Sequence, residues 1–140
     1  MFGKLFDVLN ARAISAPLSK GSVLFHSGEK ASIVYVVRTG KISLVWTGIN
    51  GVHPMDIREA GSIIGLPGVF NGTYSTAARA VEDSELGWIP ADTLMALLEC
   101  QPDLMQHVTR LLAEEVVRTR AMVGKTPDRK RLRVVRKTDR

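Results

Sequence analysis

Ile33-Val-Tyr-Val-Val-Arg-Thr-Gly40-Lys-Ile-Ser-Leu-Val-Trp46 carries the clearest structural signal in this sequence. Residues 33–37 and 41–46 are rich in β-branched and aromatic side chains, which favour strands. Gly40 lies between the two runs and can adopt the positive φ of a tight turn. The stretch therefore predicts two strands that pair as a hairpin.

Similar runs extend on both sides of this stretch. Between Pro17 and Ile89, glycines separate short segments rich in Val, Ile, Tyr and Trp. Asn50-Gly51 suits a type I′ turn before a returning strand at 55–58. Short strands at such spacing are typical of a small sandwich or jelly roll. We expect a mainly β fold with flanking helices, whose last strand ends near Ile89.

Three segments show helical spacing. Apolar residues at 2, 5, 6 and 9 predict a short amphipathic helix, and Pro90 begins a helix that ends near Cys100. A longer helix is predicted over about 102–123, because a mostly apolar stripe recurs there every three or four residues. The stripe consists of Met105, Val108, Leu112, Val116, Thr119 and Val123. On spacing alone it can pack on its own domain or form a homodimer interface.

The order of these elements, with Gly61-Ser-Ile-Ile-Gly65 leading into a short helix, resembles the cyclic-nucleotide-binding domain of bacterial Crp/Fnr-type regulators. The resemblance covers roughly residues 15–123. It implies a double-stranded β-helix, or jelly roll, and a long C-terminal helix through which such proteins dimerise. We expect one domain over residues 1–124 and a basic, flexible tail over 125–140.

In that family, the segment that maps to residues 61–80 holds the phosphate and ribose of the ligand. The resemblance places the family's ribose-binding glutamate at Leu66 and its phosphate-binding arginine at Tyr74. Losing two such contacts would cost about 2 to 3 kcal/mol each, or about three to four decades of affinity. Cyclic AMP is therefore not expected to occupy this site.

The same segment is expected to form a pocket for a less charged small-molecule effector. Its lip is expected to consist of Leu66, Val69, Phe70 and Tyr74. An apolar lining is as compatible with a filled, ligand-free segment as with a ligand site. Both interpretations stay open. The predicted lining consists of Gly65, Leu66, Pro67, Gly68, Tyr74, Ser75 and Thr76, with Thr119 of the long helix near the position that meets the base in the family.

The composition argues against several other classes of protein. Cys100 is the single cysteine and the three histidines are scattered, so neither a disulfide framework nor a metal-ligand cluster is expected. The sequence contains no catalytic motif, and we expect neither an enzyme nor a cofactor. No secretion signal or membrane-spanning run is found, which favours a cytoplasmic protein.

The positive charge of the chain is concentrated at one end. Residues 1–124 carry 11 Lys and Arg against 12 Asp and Glu, whereas residues 125–140 carry 8 against 2. Such a tail is suited to weak, salt-sensitive and sequence-independent contact with nucleic acid, or to a solubilising role. The winged helix-turn-helix of Crp/Fnr regulators needs many more residues than this tail provides, so we expect the chain to lack it.

Two functional hypotheses follow. In the first, the chain is a dimeric regulatory or sensory domain whose altered nucleotide site binds a different small effector. In the second, it is a ligand-free dimeric adaptor or the remnant of a transcriptional regulator. A pocket that stays open beneath the short helix after Gly65 would favour the first hypothesis.

Overall fold

The structure is a computed structural model that describes residues 3–46 and 55–124, with side chains of the last helix described as far as Arg118. The helices are α1 (Lys4–Arg12), α2 (Leu66–Asn71), α3 (Ala91–Cys100) and α4 (Leu104–Gly124). The strands are β1 (Ile14–Leu18), β2 (Val23–Phe25), β3 (Ile33–Thr39), β4 (Ile42–Trp46), β5 (Met55–Arg58), β6 (Ile63–Ile64), β7 (Thr76–Ala80) and β8 (Ser84–Pro90).

In the described part of the chain, these strands form two four-stranded antiparallel sheets. The first has the order β1-β8-β3-β6 and the second the order β2-β7-β4-β5. Except for β4 and β5, which pair in the second sheet, consecutive strands of the described chain lie in different sheets, as in a jelly roll. The predicted mainly β fold with flanking helices is confirmed, as are the helices predicted near the N-terminus, after Pro90 and over about 102–123.

The predicted hairpin between the runs around Gly40 is wrong. β3 pairs with β6 and β8, so both of its edges are occupied, and β4 pairs with β5 and β7 in the other sheet. The chain therefore crosses between the sheets at Gly40, where φ is 97°. The returning strand predicted at 55–58 does pair with β4, whereas the turn at Asn50-Gly51 lies outside the described residues.

Strands β3 and β6 of the first sheet are each buried on both faces. In β3, Val34 and Val36 belong to a cluster shared with the helices, whereas Val37 faces a second cluster between the sheets. Ile63 and Ile64 of β6 divide in the same way. A strand covered on both faces reads as a continuous apolar run, which explains why the sequence around Ile33 shows no polar alternation.

The two halves of the described part of α4 differ in their burial. Leu104 and Val108 are buried against α1, α3 and the first sheet, and Leu112 is partly buried there. Farther along, Val116 and Val117 are exposed. Val108 was predicted in the dimer stripe, but it is already buried in the core of its own chain and has no surface left for a partner.

No helix among residues 3–46 and 55–124 is long and apolar enough to cross a membrane. The basic segment 125–140 lies outside the described residues. Its separation from the domain at Gly124, and the contact with nucleic acid predicted for it, therefore stay predictions.

The crossing at Gly40 makes that position intolerant of a side chain. A Cβ on Gly40 would lie 2.1 Å from Ser84 Oγ and 2.7 Å from Ser84 Cα. We expect Gly40→Ala to lower the free energy of unfolding by about 3 kcal/mol or more, through both steric overlap and a strained φ.

Gly21→Ala is the matched control, because Gly21 has φ 88° but nothing within 4 Å of an added Cβ. It should cost only the backbone strain, about 1 to 2 kcal/mol. Urea denaturation of both variants measures the difference. Equal losses would show that the approach to Ser84 does not constrain the crossing.

Candidate ligand pocket

A pocket of about 710 Å³ opens between α2, the second sheet and α4. Its size is within the range of sites that hold a small organic ligand. The walls are mostly apolar, with Asn71, Ser75 and Thr76 as neutral polar groups and Arg58 and Glu115 as charged ones. The apolar walls are Leu44, Trp46, Ile63, Ile64, Pro67, Phe70, Leu112 and Val116, and the ring of Tyr74 also contributes.

Six of the eight predicted site residues line this pocket. They are Gly65, Pro67, Gly68, Tyr74, Ser75 and Thr76. The prediction that Leu66 lies at the lip is wrong, since its side chain is 1% exposed and packs in the cluster shared with the helices. The side chain of Thr119 lies outside the described part of α4.

The side chain of Tyr74 is fixed by three contacts. Its ring stacks on Phe25 with centroids 3.7 Å apart and an interplanar angle of 11°. Its hydroxyl donates a hydrogen bond of 2.6 Å to the carbonyl oxygen of Ile33 on β3. Burial raises the pKa of Tyr74. The hydroxyl is therefore protonated at neutral pH and serves as a donor.

The third contact of Tyr74 is with the glycines of the α2 turn. A Cβ on Gly65 would lie 3.0 Å from Tyr74 Cε1, and a Cβ on Gly68 would lie 2.9 Å from Tyr74 Cδ1. Gly65 also has φ 90°, which favours glycine. The edge of the tyrosine ring thus lies against the bare backbone at the start of α2, in the space that side chains at 65 and 68 would otherwise take.

The sequence interpretation did not identify Arg58 and Glu115 as parts of the site. Arg58 is 6% exposed, and its Nη1 and Nη2 bind Glu115 Oε2 and Oε1 at 2.8 Å and 2.9 Å. Its Nε donates to Asp56 Oδ2 at 2.7 Å, and Arg118 Nη1 binds the same oxygen at 2.8 Å. This Arg58 network joins β5 to α4 with a bidentate arginine–carboxylate pair, the strongest geometry for such contacts.

Partner charges keep Asp56 and Arg58 ionised although burial opposes their charged forms. Burial alone would raise the pKa of Asp56, but hydrogen bonds from Arg58 and Arg118 outweigh it and hold the pKa below its usual value. Burial alone would lower the pKa of Arg58, but hydrogen bonds to Glu115 and Asp56 raise it instead. Asp56 and Arg58 are therefore charged at neutral pH.

Alternation in β5 is the signal that could have located this network. Met55 and Ile57 are exposed, whereas Asp56 and Arg58 face inward. The spacing of two places the charged residues together on one face, but an apolar residue would ordinarily be assigned to the inner face. The inverted pattern shows that β5 borders a polar part of the pocket.

Comparison with known proteins identifies the family. A family model of the cyclic nucleotide-binding domain matches residues 16–100. The chain is also 32% identical over 101 residues to the fumarate and nitrate reduction regulatory protein of Yersinia pestis. This chain belongs to the cyclic nucleotide-binding domain family and is of the Crp/Fnr type. The alignment covers 71% of the chain and 40% of that relative, so the chain spans well under half of its length.

Solved structures agree with this assignment at the level of the fold. The catabolite activator protein of Thermus thermophilus superposes with a TM-score of 0.74 at 23% identity, over 84% of this chain and 56% of that one. The N-terminal domain of a transcriptional regulator from Streptomyces coelicolor A3(2) superposes with a TM-score of 0.62 at 23% identity. This superposition covers 89% of this chain and 88% of that one. The Crp/Fnr-type domain is therefore present with its jelly roll and long helix.

The hydroxyl of Tyr74 should contribute measurably to the stability of this Crp/Fnr-type domain. Tyr74→Phe leaves the Ile33 carbonyl without this donor, and we expect the free energy of unfolding to fall by about 1 kcal/mol. Tyr35→Phe is the matched control, because the Tyr35 hydroxyl makes no hydrogen bond within the described residues. Urea denaturation of the two variants should separate them, and equal stabilities would contradict the role of the hydrogen bond.

The Asp56 carboxylate predicts a specific response to acid. Because its pKa is lower in the folded chain than its usual 3.8, it stabilises the fold above that pH. That contribution is lost as the pH falls below 3.8 toward the lower pKa of the folded state. We expect wild type to lose more stability in this window than Asp56→Asn, measured by thermal unfolding at each pH. Parallel pH profiles would contradict the prediction.

Proposed function

We propose that this chain is the sensory part of a Crp/Fnr-type regulator and that its pocket binds a small, largely apolar effector other than a cyclic nucleotide. The observation that carries the proposal is the position of Tyr74. Its ring packs against Gly65 and Gly68, where the resemblance puts the phosphate of a cyclic nucleotide, while a pocket of about 710 Å³ stays open beside it. The tyrosine thus changes the part of the site assigned to the phosphate but leaves the neighbouring pocket open.

The charges around the pocket also argue against a cyclic nucleotide. Arg58 is the one cationic side chain in the described lining, and it lies on β5, outside the segment 61–80 to which the resemblance assigns the phosphate. A buried phosphate without a cationic partner is strongly disfavoured. Leu66 faces the helical cluster, so a glutamate there would not meet a ribose without movement of α2.

The neutral polar groups are too few for a nucleotide. A ribose and a base carry many donors and acceptors, each of which needs a partner when it leaves water. The described lining offers the side chains of Asn71, Ser75 and Thr76, together with the hydroxyl of Tyr74, which Ile33 already engages. Apolar and aromatic walls suit a ligand whose surface is mostly hydrocarbon.

Calorimetric titration with cyclic AMP and cyclic GMP tests this proposal. Wild type should bind neither at millimolar concentration, whereas Tyr74→Arg supplies the missing cation and should bind at least about tenfold more tightly. Tyr74→Leu is the matched control, because it removes the ring without adding charge, and it should resemble wild type. Micromolar binding of either nucleotide by wild type would overturn the proposal.

The alternative function is a ligand-free adaptor. It is favoured by the full satisfaction of the polar groups, since no buried side-chain N or O atom in the described residues lacks a hydrogen-bond partner. An adaptor would bind no apolar molecule. Titration with the neutral probe octan-1-ol distinguishes the two functions, because the sensor should bind it in the pocket and the adaptor should not.

We further propose that the chain acts in the cytoplasm as a homodimer that pairs through α4. Met105 is 45% exposed and lies on the stripe that the sequence predicts, along with exposed Val116. Met105→Glu should weaken the dimer in sedimentation equilibrium by at least about tenfold, because it places a charge in an apolar interface.

Val117→Glu is the control for the dimer. Val117 is 67% exposed and lies about 100° around the helix from Val116, outside the stripe. Dissociation by Val117→Glu but not by Met105→Glu would move the interface to another face of α4. A monomeric wild type would exclude the dimer.

A further inference from the structure

α4 is held to the domain by two different kinds of contact. Leu104 and Val108, in its first two turns, are buried in the cluster shared with α1 and α3. From Glu115 to Arg118 the contacts with the domain include the ion pairs to Arg58 and Asp56 of β5. An ion pair can exchange partners without opening an apolar core, so this second attachment is the one that a ligand can change.

Both members of the central ion pair line the pocket. Arg58 and Glu115 therefore face any molecule that enters it. Arg58 is 6% exposed and is also held by Asp56, whereas the Glu115 side chain is 16% exposed and belongs to the helix at the pocket edge. Because Glu115 is nearer to water, it can leave the pair, while Arg58 stays fixed in the wall.

These positions select the charge of the ligand. A carboxylate that enters the pocket can take the place of Glu115 on the two Nη groups of Arg58, so that one bidentate pair replaces another. The buried Arg58 then still has a negatively charged partner, and Glu115 becomes solvated. A cationic ligand would have to displace Arg58 itself, which is buried and has no comparable route to water.

The walls select the rest of the ligand. Trp46, Phe70, Leu112 and Val116 offer an apolar surface but no second cation in the described lining. An apolar tail among these side chains leaves water, and each buried methylene strengthens binding about fourfold. The exchange of one carboxylate for another on Arg58 changes the free energy little by itself. Burial of the apolar tail can therefore drive it.

We propose that the effector is an amphipathic carboxylic acid whose carboxylate pairs with Arg58 in place of Glu115, and that this exchange releases the second half of α4 from β5. The inference rests on the proposed function, since it requires that the pocket bind a small molecule. It adds the chemical class of that molecule and the means by which its binding reaches the helix.

NMR titration of the full chain with octanoate, octan-1-ol and octylamine tests the inference. Wild type should bind octanoate at least about tenfold more tightly than octan-1-ol, and octylamine most weakly, because only the acid pairs with Arg58. Decanoate should bind about fifteenfold more tightly than octanoate, because it buries two further methylenes. Amide exchange over residues 113–118 should speed up with octanoate and not with octan-1-ol.

Two variants probe the exchange. Glu115→Gln weakens the competitor and should raise the affinity for octanoate about tenfold, whereas Arg58→Leu should abolish the preference for the acid over the alcohol. If Arg58→Leu does not fold, Glu115→Gln alone decides. An unchanged octanoate affinity in Glu115→Gln would overturn the exchange.

The failures of the two proposals can be told apart. If octan-1-ol binds in the pocket as tightly as octanoate, the effector site stands and the carboxylate inference is wrong. If none of the probes binds, both the proposed function and this inference are wrong. Binding of octanoate without faster exchange over residues 113–118 would overturn the release of α4.

Discussion

The contact of Tyr74 with the start of α2 is the constraint on which the pocket depends. Phe25 supports one face of the ring, and the Ile33 carbonyl accepts a hydrogen bond from the Tyr74 hydroxyl. Gly65 and Gly68 leave room for the edge of the ring because they have no side chains. Three elements of the domain therefore meet at one residue. With the ring in this position, the backbone at the start of α2 is covered, and the open space lies toward β5 and α4 instead.

The Arg58 network gives that open space its polarity. Removing two opposite charges from water offsets much of their attraction, so the network adds little to net stability even with good geometry. Its effect is on position, since it orients α4 against β5 at one place. α4 is fixed by apolar packing at its start and by ion pairs to β5 farther along. The ion pairs are the attachment that a charged group in the pocket can change.

Much of this architecture could be predicted from the sequence, because strands, helices and glycine turns are local features. The pairing of β3 with β4 was wrongly predicted, since local signals at Gly40 mark a turn but do not say which sheet receives the next strand. Leu66 was wrongly placed because the direction of its side chain depends on how α2 packs against the helices. Arg58 and Glu115 were missed because they are 57 residues apart and meet only through tertiary packing.

The amide resonances of Gly65 and Gly68, followed while wild type is titrated with cyclic AMP, report directly on whether Tyr74 excludes a nucleotide. The edge of the Tyr74 ring lies against the backbone at both glycines, and the proposed function requires that it keep a phosphate from reaching their amides. We predict that neither resonance moves at millimolar cyclic AMP. Saturable shifts of both resonances at micromolar concentration would contradict the exclusion, because they would show that the ring yields its place to the phosphate.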